Sequence, residues 1–296
     1  MALVIGIVSF AMMEALPGDA AYRIAAGRYG YDMLTGAAAE QVRIELGLDR
    51  PAWQRIADWV GHILMLDLGR SAVTGDPVAH ALSHQLGHSI ALAVGALLFA
   101  LVIAVPTGTL AGLRPGGAFD RILGGLTVVF RALPAFLLGI ILMLFFAVQL
   151  GILPAAGHGH GGHLLLPSLT LGIVLATVLS RVVRNAVAET VASEAFQFAR
   201  HKGLSMGTAL RRHGARNAAV PVVAYLGVQA ALLVEGVVVV ESIFAWPGIG
   251  HALTHAIFER DVPMLQGTAL MLGLGFVLLS FTVEVICLAL DPRRRA

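Results

Sequence analysis

Titratable side chains are scarce in this chain, so their spacing is the first guide to its chemistry. His251, His255 and Glu259 fall at i, i+4 and i+8, which sets two imidazoles and a carboxylate on one helical face. His158, His160 and His163 crowd a second stretch. Imidazoles one helical turn apart can ligate zinc or nickel. The same spacing also suits the exposed polar face of a short helix whose Ile249, Leu253 and Ile257 point inward, so both readings stand. Three more charges lie inside apolar runs: Arg131 just ahead of Pro134, Glu235, and Glu284. Ionisable groups in such runs are costly and often mark a transport path. Arg131 and Glu235 are candidates to line one as a pair; the competing reading is a structural ion pair, or side chains reaching for an interface. A basic group of Arg200, Lys202, Arg211, Arg212 and Arg216 surrounds an apolar bend at Leu204.

The elements that must hold these residues follow from composition. Of 296 residues, 57% are hydrophobic and 13% charged, against about 25% charged in an average globular domain. A mean hydropathy of +0.82 rules out disorder, and so little polar surface cannot clothe a water-soluble globule. The single cysteine, Cys287, excludes a disulfide scaffold, and a net charge of +2 argues against nucleic acid as a partner. The chain reads as an all-α integral membrane protein.

Five stretches approach or exceed the roughly 20 apolar residues that cross a bilayer. They run about Ile90–Leu113, Ile122–Leu150, Leu164–Val183, Ala218–Val240 and Met264–Leu290. Met1–Met13 is apolar but shorter, and ends at Glu14 and the turn Leu16-Pro17-Gly18-Asp19. With no basic stretch ahead of it, it reads as a membrane helix short of its start rather than a signal peptide. The connections 112–121 and 181–216 and the tail 291–296 hold twelve Lys and Arg, whereas 151–163 and 241–262 hold only Arg260. Basic residues near span ends stay in the cytoplasm, which predicts six spans with a cytoplasmic tail and an extracytoplasmic segment over 14–85. Within that segment Gln41–Leu48 reads as a short helix stopped by Gly47. Trp53, Ile56, Trp59 and Val60 form an amphipathic stripe that lies on the membrane or packs over the outer mouth. Trp246-Pro247-Gly248 reads as a tight outer turn with its indole at the interface.

The long inner connection Arg181–Pro221 reads as helix, turn, helix. Val187, Val191 and Phe198 supply an apolar stripe, Gly203 stops the first helix, and Ser205 caps a second over Met206–His213. Leu204 is left apolar at the bend between cationic flanks, a shape suited to a groove on another protein. A solvated basic loop that only sets topology is the competing reading.

Glu194-Ala195-Phe196-Gln197-Phe198-Ala199-Arg200-His201-Lys202-Gly203-Leu204-Ser205, followed by Arg212-His213-Gly214-Ala215-Arg216-Asn217-Ala218-Ala219-Val220-Pro221, resembles the EAA loop of ABC importer permeases of the dipeptide, oligopeptide and nickel type. The likeness extends through Leu16–Asp19, Glu45–Pro51, Asp67–Ser71, Leu166–Gly172, Val240–Gly250 and Leu290–Arg293, nearly the whole chain. The sequence departs from the pattern at Phe196, at the small Gly214 and Ala215, and in lacking a basic N-terminal tail. The resemblance implies a six-helix type I importer permease, with 1–13 as first helix, 86–290 as a five-helix core and 186–216 as the coupling loop. It implies that Glu194, Ala195, Ala199, Arg200, Lys202, Gly203, Leu204, Ser205, Arg212 and His213 couple to an ATPase. The implied partners are a second permease, identical or different, two ATPase subunits, an extracytoplasmic solute-binding protein and membrane lipid, with no cofactor or metal. The chain carries no Gly-x-x-x-x-Gly-Lys-[Ser/Thr] phosphate loop, so it is not expected to be an enzyme. Short peptides are the expected cargo, with nickel or a metal chelate as alternative. A self-sufficient proton-coupled carrier using Glu235 and Glu284 is the reading from another class.

Overall fold

In the computed structural model, the described residues are 2–65, 67–159 and 161–290; the side chains of residues 2, 3, 5, 213, 216, 217, 230–235, 287 and 290 fall outside the description. Among the described residues all regular structure is helical, apart from one isolated bridge between Arg70 and Pro77. The chain divides into two compact units.

The first unit comprises Met1–Ile90 and Pro247–Gly275. Helix α1 (Ala2–Ala15) is followed by α2 (Ala20–Tyr29), α3 (Gly36–Glu45) and α4 (Ala52–Leu64). Asp19 and Thr35 start α2 and α3 by accepting from the amides of Ala21 at 2.9 Å and Ala38 at 3.2 Å. The Thr35 cap explains why α3 begins five residues ahead of the expected Gln41 and ends at Glu45. Val42 is buried, whereas Ile44 faces out. Of the α4 stripe, Trp59 packs on α1 while Trp53 stays exposed: a Cβ at Gly6 would overlap the Trp59 ring, and the Arg55 guanidinium lies 5.1 Å from the centre of Phe10 and 3.2 Å from Glu14. Helix α12 (Ile249–Glu259) buries Ile249, Ala252 and Ala256 but leaves Ile257 exposed, so its inward face is turned from the expected one.

Two adjacent residues tie this unit together. Arg260, left-handed at φ 57°, donates from Nη1 to Gly18 O at 2.7 Å and from Nη2 to Leu16 O at 3.0 Å and Pro17 O at 2.5 Å. Asp261 accepts from the Ser71 hydroxyl, from Ala72 N at 3.0 Å and from Met264 N at 3.2 Å. The Leu16–Asp19 turn is therefore held by a guanidinium 242 residues further along the chain.

The second unit comprises Ala91–Trp246 and Phe276–Ala296. It takes most of α5 (Val78–Leu113), α6 (Ala118–Ala132), α7 (Ala135–Leu142), α8 (Gly162–Ala192) and α11 (Ala215–Ile243), and the end of α13 (Val262–Leu290). Helices α5, α8 and α13 are long and apolar enough to cross a bilayer. The expected span Ile122–Leu150 is instead two half-helices bent by 101°, because Leu133 and Pro134 are both extended and Pro134 restarts the chain as α7. Along α5, Ala96, Ala100, Ala104, Gly108 and Gly112 recur every four residues and all are buried. A Cβ at Gly108 would stand 2.5 Å from Ser180 O, and one at Gly112 2.6 Å from Arg184 O. Small residues let two membrane helices approach backbone to backbone. Trp246 is buried in this unit's core with Phe244.

Candidate functional site

Helix α8 stops at Ala192 because Ser193 is extended and its hydroxyl accepts from Phe196 N at 3.4 Å. A serine side chain that bonds a free amide competes with helix continuation. The expected stripe of Val187, Val191 and Phe198 on one helix is thus cut in two, and Glu194–His201 forms a separate helix, α9. Phe196 is the residue the periodicity missed. It is 1% exposed and packs with Ala199, Ala209 and the half-buried Leu204, whereas Phe198 is 61% exposed.

Gly203 ends α9 at φ +86°, with open space around it, so the backbone conformation and not crowding requires glycine there. Leu204 folds back under α9 instead of projecting from the bend, and its carbonyl accepts from Arg200 Nη1 at 2.5 Å. Ser205 caps α10 (Met206–Ala209) through Thr208 N at 3.3 Å, as its position predicts. The expected helix to His213 widens into a π-turn over Leu210–Gly214 before α11. Gly214 is small because a Cβ there would come within 2.8 Å of both Thr190 and Leu210.

The outcome is a short helix seated on its own apolar base with one face open. Lys202 Nζ sits 4.5 Å from the centre of the Phe198 ring, a cation–π contact. Beside it lies an open hollow of about 580 Å³ lined by Ala192, Glu194, Ala195, Gln197, Phe198 and His201. Glu194 occupies the first turn of α9 and Arg200 the last, the arrangement that complements a helix dipole. Arg212 is exposed; the His213 side chain lies outside the described residues.

The other candidates are less connected. Arg131 is exposed in the last turn of α6, immediately before the break, rather than ten residues inside a span. Glu235 lies on α11 with its side chain outside the described residues, as does all of His160. His251 and His255 stack edge-on at 4.6 Å, and His255 Nδ1 is 3.5 Å from Glu259. Burial, and then the neighbouring His255, push the His251 imidazole below its ordinary pKa. No group of three His, Cys, Asp or Glu among the described residues is placed to hold a metal ion.

Comparison with known proteins identifies the family to which this fold belongs. The family model of the binding-protein-dependent transport system inner membrane component matches residues 104–296. The glutathione transport system permease protein GsiC of Pectobacterium atrosepticum is 35% identical over 293 residues, 99% of this chain and 94% of that protein. GsiC of Escherichia coli strain K12 is 32% identical over 292 residues, at the same coverage. Among solved structures, the inward-facing MetNI methionine ABC transporter matches with a TM-score of 0.61 at 20% identity, over 72% of this chain and 97% of that one. That likeness shows the shared helical fold. The chain belongs to the family of binding-protein-dependent transport system inner membrane components, and is a multi-pass permease subunit of an ATP-driven ABC importer whose ATP is hydrolysed on a separate subunit.

Proposed function

We propose that this permease imports glutathione or short peptides of similar size, and that α9 with its following turn, Glu194–Ser205, is the plug that docks into the ATPase. The cargo is suggested by the glutathione permeases that match nearly the whole chain. The observation that carries the coupling role is the build of α9: bounded by Ser193 and Gly203 and fixed from below by Phe196, it keeps Phe198, Arg200, His201 and Lys202 exposed. A rigid aromatic anchor ringed by cations suits an acidic groove with an apolar floor. Phe198, capped by Lys202, takes the part the sequence reading gave to Leu204.

Around this plug we place six spans, the cytoplasmic tail 291–296 and the extracytoplasmic segment 14–85, on the strength of the basic-residue bias. One such subunit would pair with a second permease, two ATPases and a solute-binding protein. Arg131, at the end of a broken membrane helix, and Glu235 are the proposed path residues.

Pull-down of the ATPase subunit tests the coupling role. Gly203→Pro demands φ near −65° where the chain has +86° and should abolish co-purification. Phe198→Ala should weaken it about tenfold, the loss of a moderate interface anchor. Full retention by Gly203→Pro would refute the plug. Uptake of labelled glutathione against dialanine by the complete importer tests the cargo, and unchanged uptake in Arg131→Ala and Glu235→Gln would remove them from the path.

A further inference from the structure

Asp120 opens α6 and is 7% exposed, yet its carboxylate is saturated with donors. Oδ1 accepts from Arg181 Nη1 and from Arg184 Nε, both at 3.0 Å. Oδ2 accepts from Arg184 Nη2 at 2.5 Å and from the backbone amide of Gly116 at 2.9 Å. Arg184 therefore grips both oxygens side by side, the geometry that gives guanidinium–carboxylate pairs their directionality. Sequence reading counted Arg181 and Arg184 only as topology charges; here both are tied to one carboxylate over 60 residues away.

The place of this node in the fold matters more than its strength. Helix α8 runs unbroken from Arg184 to Ala192, about 12 Å at helical rise, and α9 begins two residues later. On α8 the Ser180–Arg184 turn is also where Gly108 and Gly112 of α5 come within backbone contact. Helix α6 leads from Asp120 to the break at Leu133 and Pro134, beside Arg131. A displacement of α9 passes along α8 as along a rod. To move α6 as well it needs a contact that does not slip, and apolar helix faces slide where a two-point ion pair holds.

We propose that Asp120 is the joint that hands movement of the coupling helix from α8 to α6, and so a positioning residue for transport. This rests on the docking role proposed for α9. Removal of the carboxylate should leave the ATPase bound and hydrolysing while solute movement is disconnected from it.

The complete importer, with its ATPases and binding protein, is reconstituted in liposomes, and glutathione uptake and ATP hydrolysis are read in the same sample. Asp120→Asn and Asp120→Ala should lower glutathione imported per ATP by about tenfold, within the range of ordinary coupling energies, with ATPase subunits still co-purifying. Asp120→Glu should recover part of the ratio. An unchanged ratio in Asp120→Ala overturns the proposal and leaves Asp120 a structural bridge. If that variant fails to accumulate, Arg184→Lys keeps the charge but removes the two-point grip on the carboxylate, and an unchanged ratio there overturns it equally. Gly203→Pro separates the two ideas: if it loses the ATPase while Asp120 variants keep full coupling, only the joint falls, and if it keeps the ATPase, the docking role falls first.

Discussion

The two compact units lean on different means of holding together. In Met1–Ile90 with Pro247–Gly275, turns far apart in sequence are tied by directional polar bonds: Arg260 to three successive carbonyls, Asp261 to Ser71 and Ala72, Gln266 to Gly6 O at 3.0 Å, and Ser89 accepting from Ile249 N at 2.8 Å. In Ala91–Trp246 with Phe276–Ala296, the Asp120 node is the exception, and elsewhere the long helices meet through alanine and glycine, with Gly172 set against Phe99 and Gly227 against Val283. The difference follows from what each must hold. Short helices and turns carry unpaired backbone groups that a charged side chain can satisfy. Continuous membrane helices have satisfied backbones and apolar surroundings, so close packing is what remains to distinguish one arrangement from another.

The steepest test of this contrast lies in α5. Gly108→Val would drive a branched side chain into Ser180 O and Val183, and the obstacle is backbone, not a side chain that can turn away. Overpacking commonly costs about 1–3 kcal/mol, and a backbone obstacle puts this site at the upper end. We expect the folded subunit to be nearly lost from detergent extracts, measured by size-exclusion recovery. Gly125→Val, on the neighbouring α6 with open space around it, should be recovered normally. Equal recovery of the two would break the claim that close approach holds this unit.

A smaller, more local loss is expected at the Arg260–Asp261 clasp. Asp261→Ala leaves the Ser71 hydroxyl and the amides of Ala72 and Met264 without their acceptor inside a buried site, at roughly 2–4 kcal/mol for the set. Limited proteolysis should find new cleavage around residues 67–76, while co-purification with the ATPase stays intact. Uniform loss of the whole subunit instead would mean that the two units do not differ in the way described.

How much of this could be read in advance divides along the same line. Helix existence was legible, because apolar runs and the caps at Gly203 and Ser205 act over a few residues. The break before Phe196 was not, since Ser193 reads equally as a polar residue within one long helix, and only its bond to Phe196 N decides. The inward turn of Leu204 was hidden for a related reason: a bend shows that a leucine is present, not whether it caps the base or the tip. Pro134 announced a kink, but a 101° break also needed Leu133 to be extended. Ties such as Asp120 to Arg184 or Arg260 to Leu16 leave no local pattern at all. Their partners lie 64 and 244 residues apart, and each residue alone looks like an ordinary charge at a helix end. Within the candidate site, the motif located the loop, while the assignment of Phe196 to the base and Phe198 to the open face required the fold.

The mildest expected effect is a pH dependence confined to α12. On α12, burial and the His255 ring at 4.6 Å disfavour the charged form of His251, so its pKa is lower in the folded chain than in the unfolded one. Above the unfolded value of about 6.5 both forms are neutral and the residue contributes no slope. As pH falls through that value the unfolded chain takes up a proton before the folded one does, and stability drops until the lowered folded pKa is also passed. Acidification from pH 7.5 to 5.5 should therefore increase hydrogen exchange along Ile249–Glu259, after correction for intrinsic rates, with no matching change along α9. His251→Leu should flatten the response, because leucine fills the site and has no proton to gain. If the variant keeps the full acid response, the titrating group is another, and the half-buried imidazole of His251 is not the source of the pH sensitivity of α12.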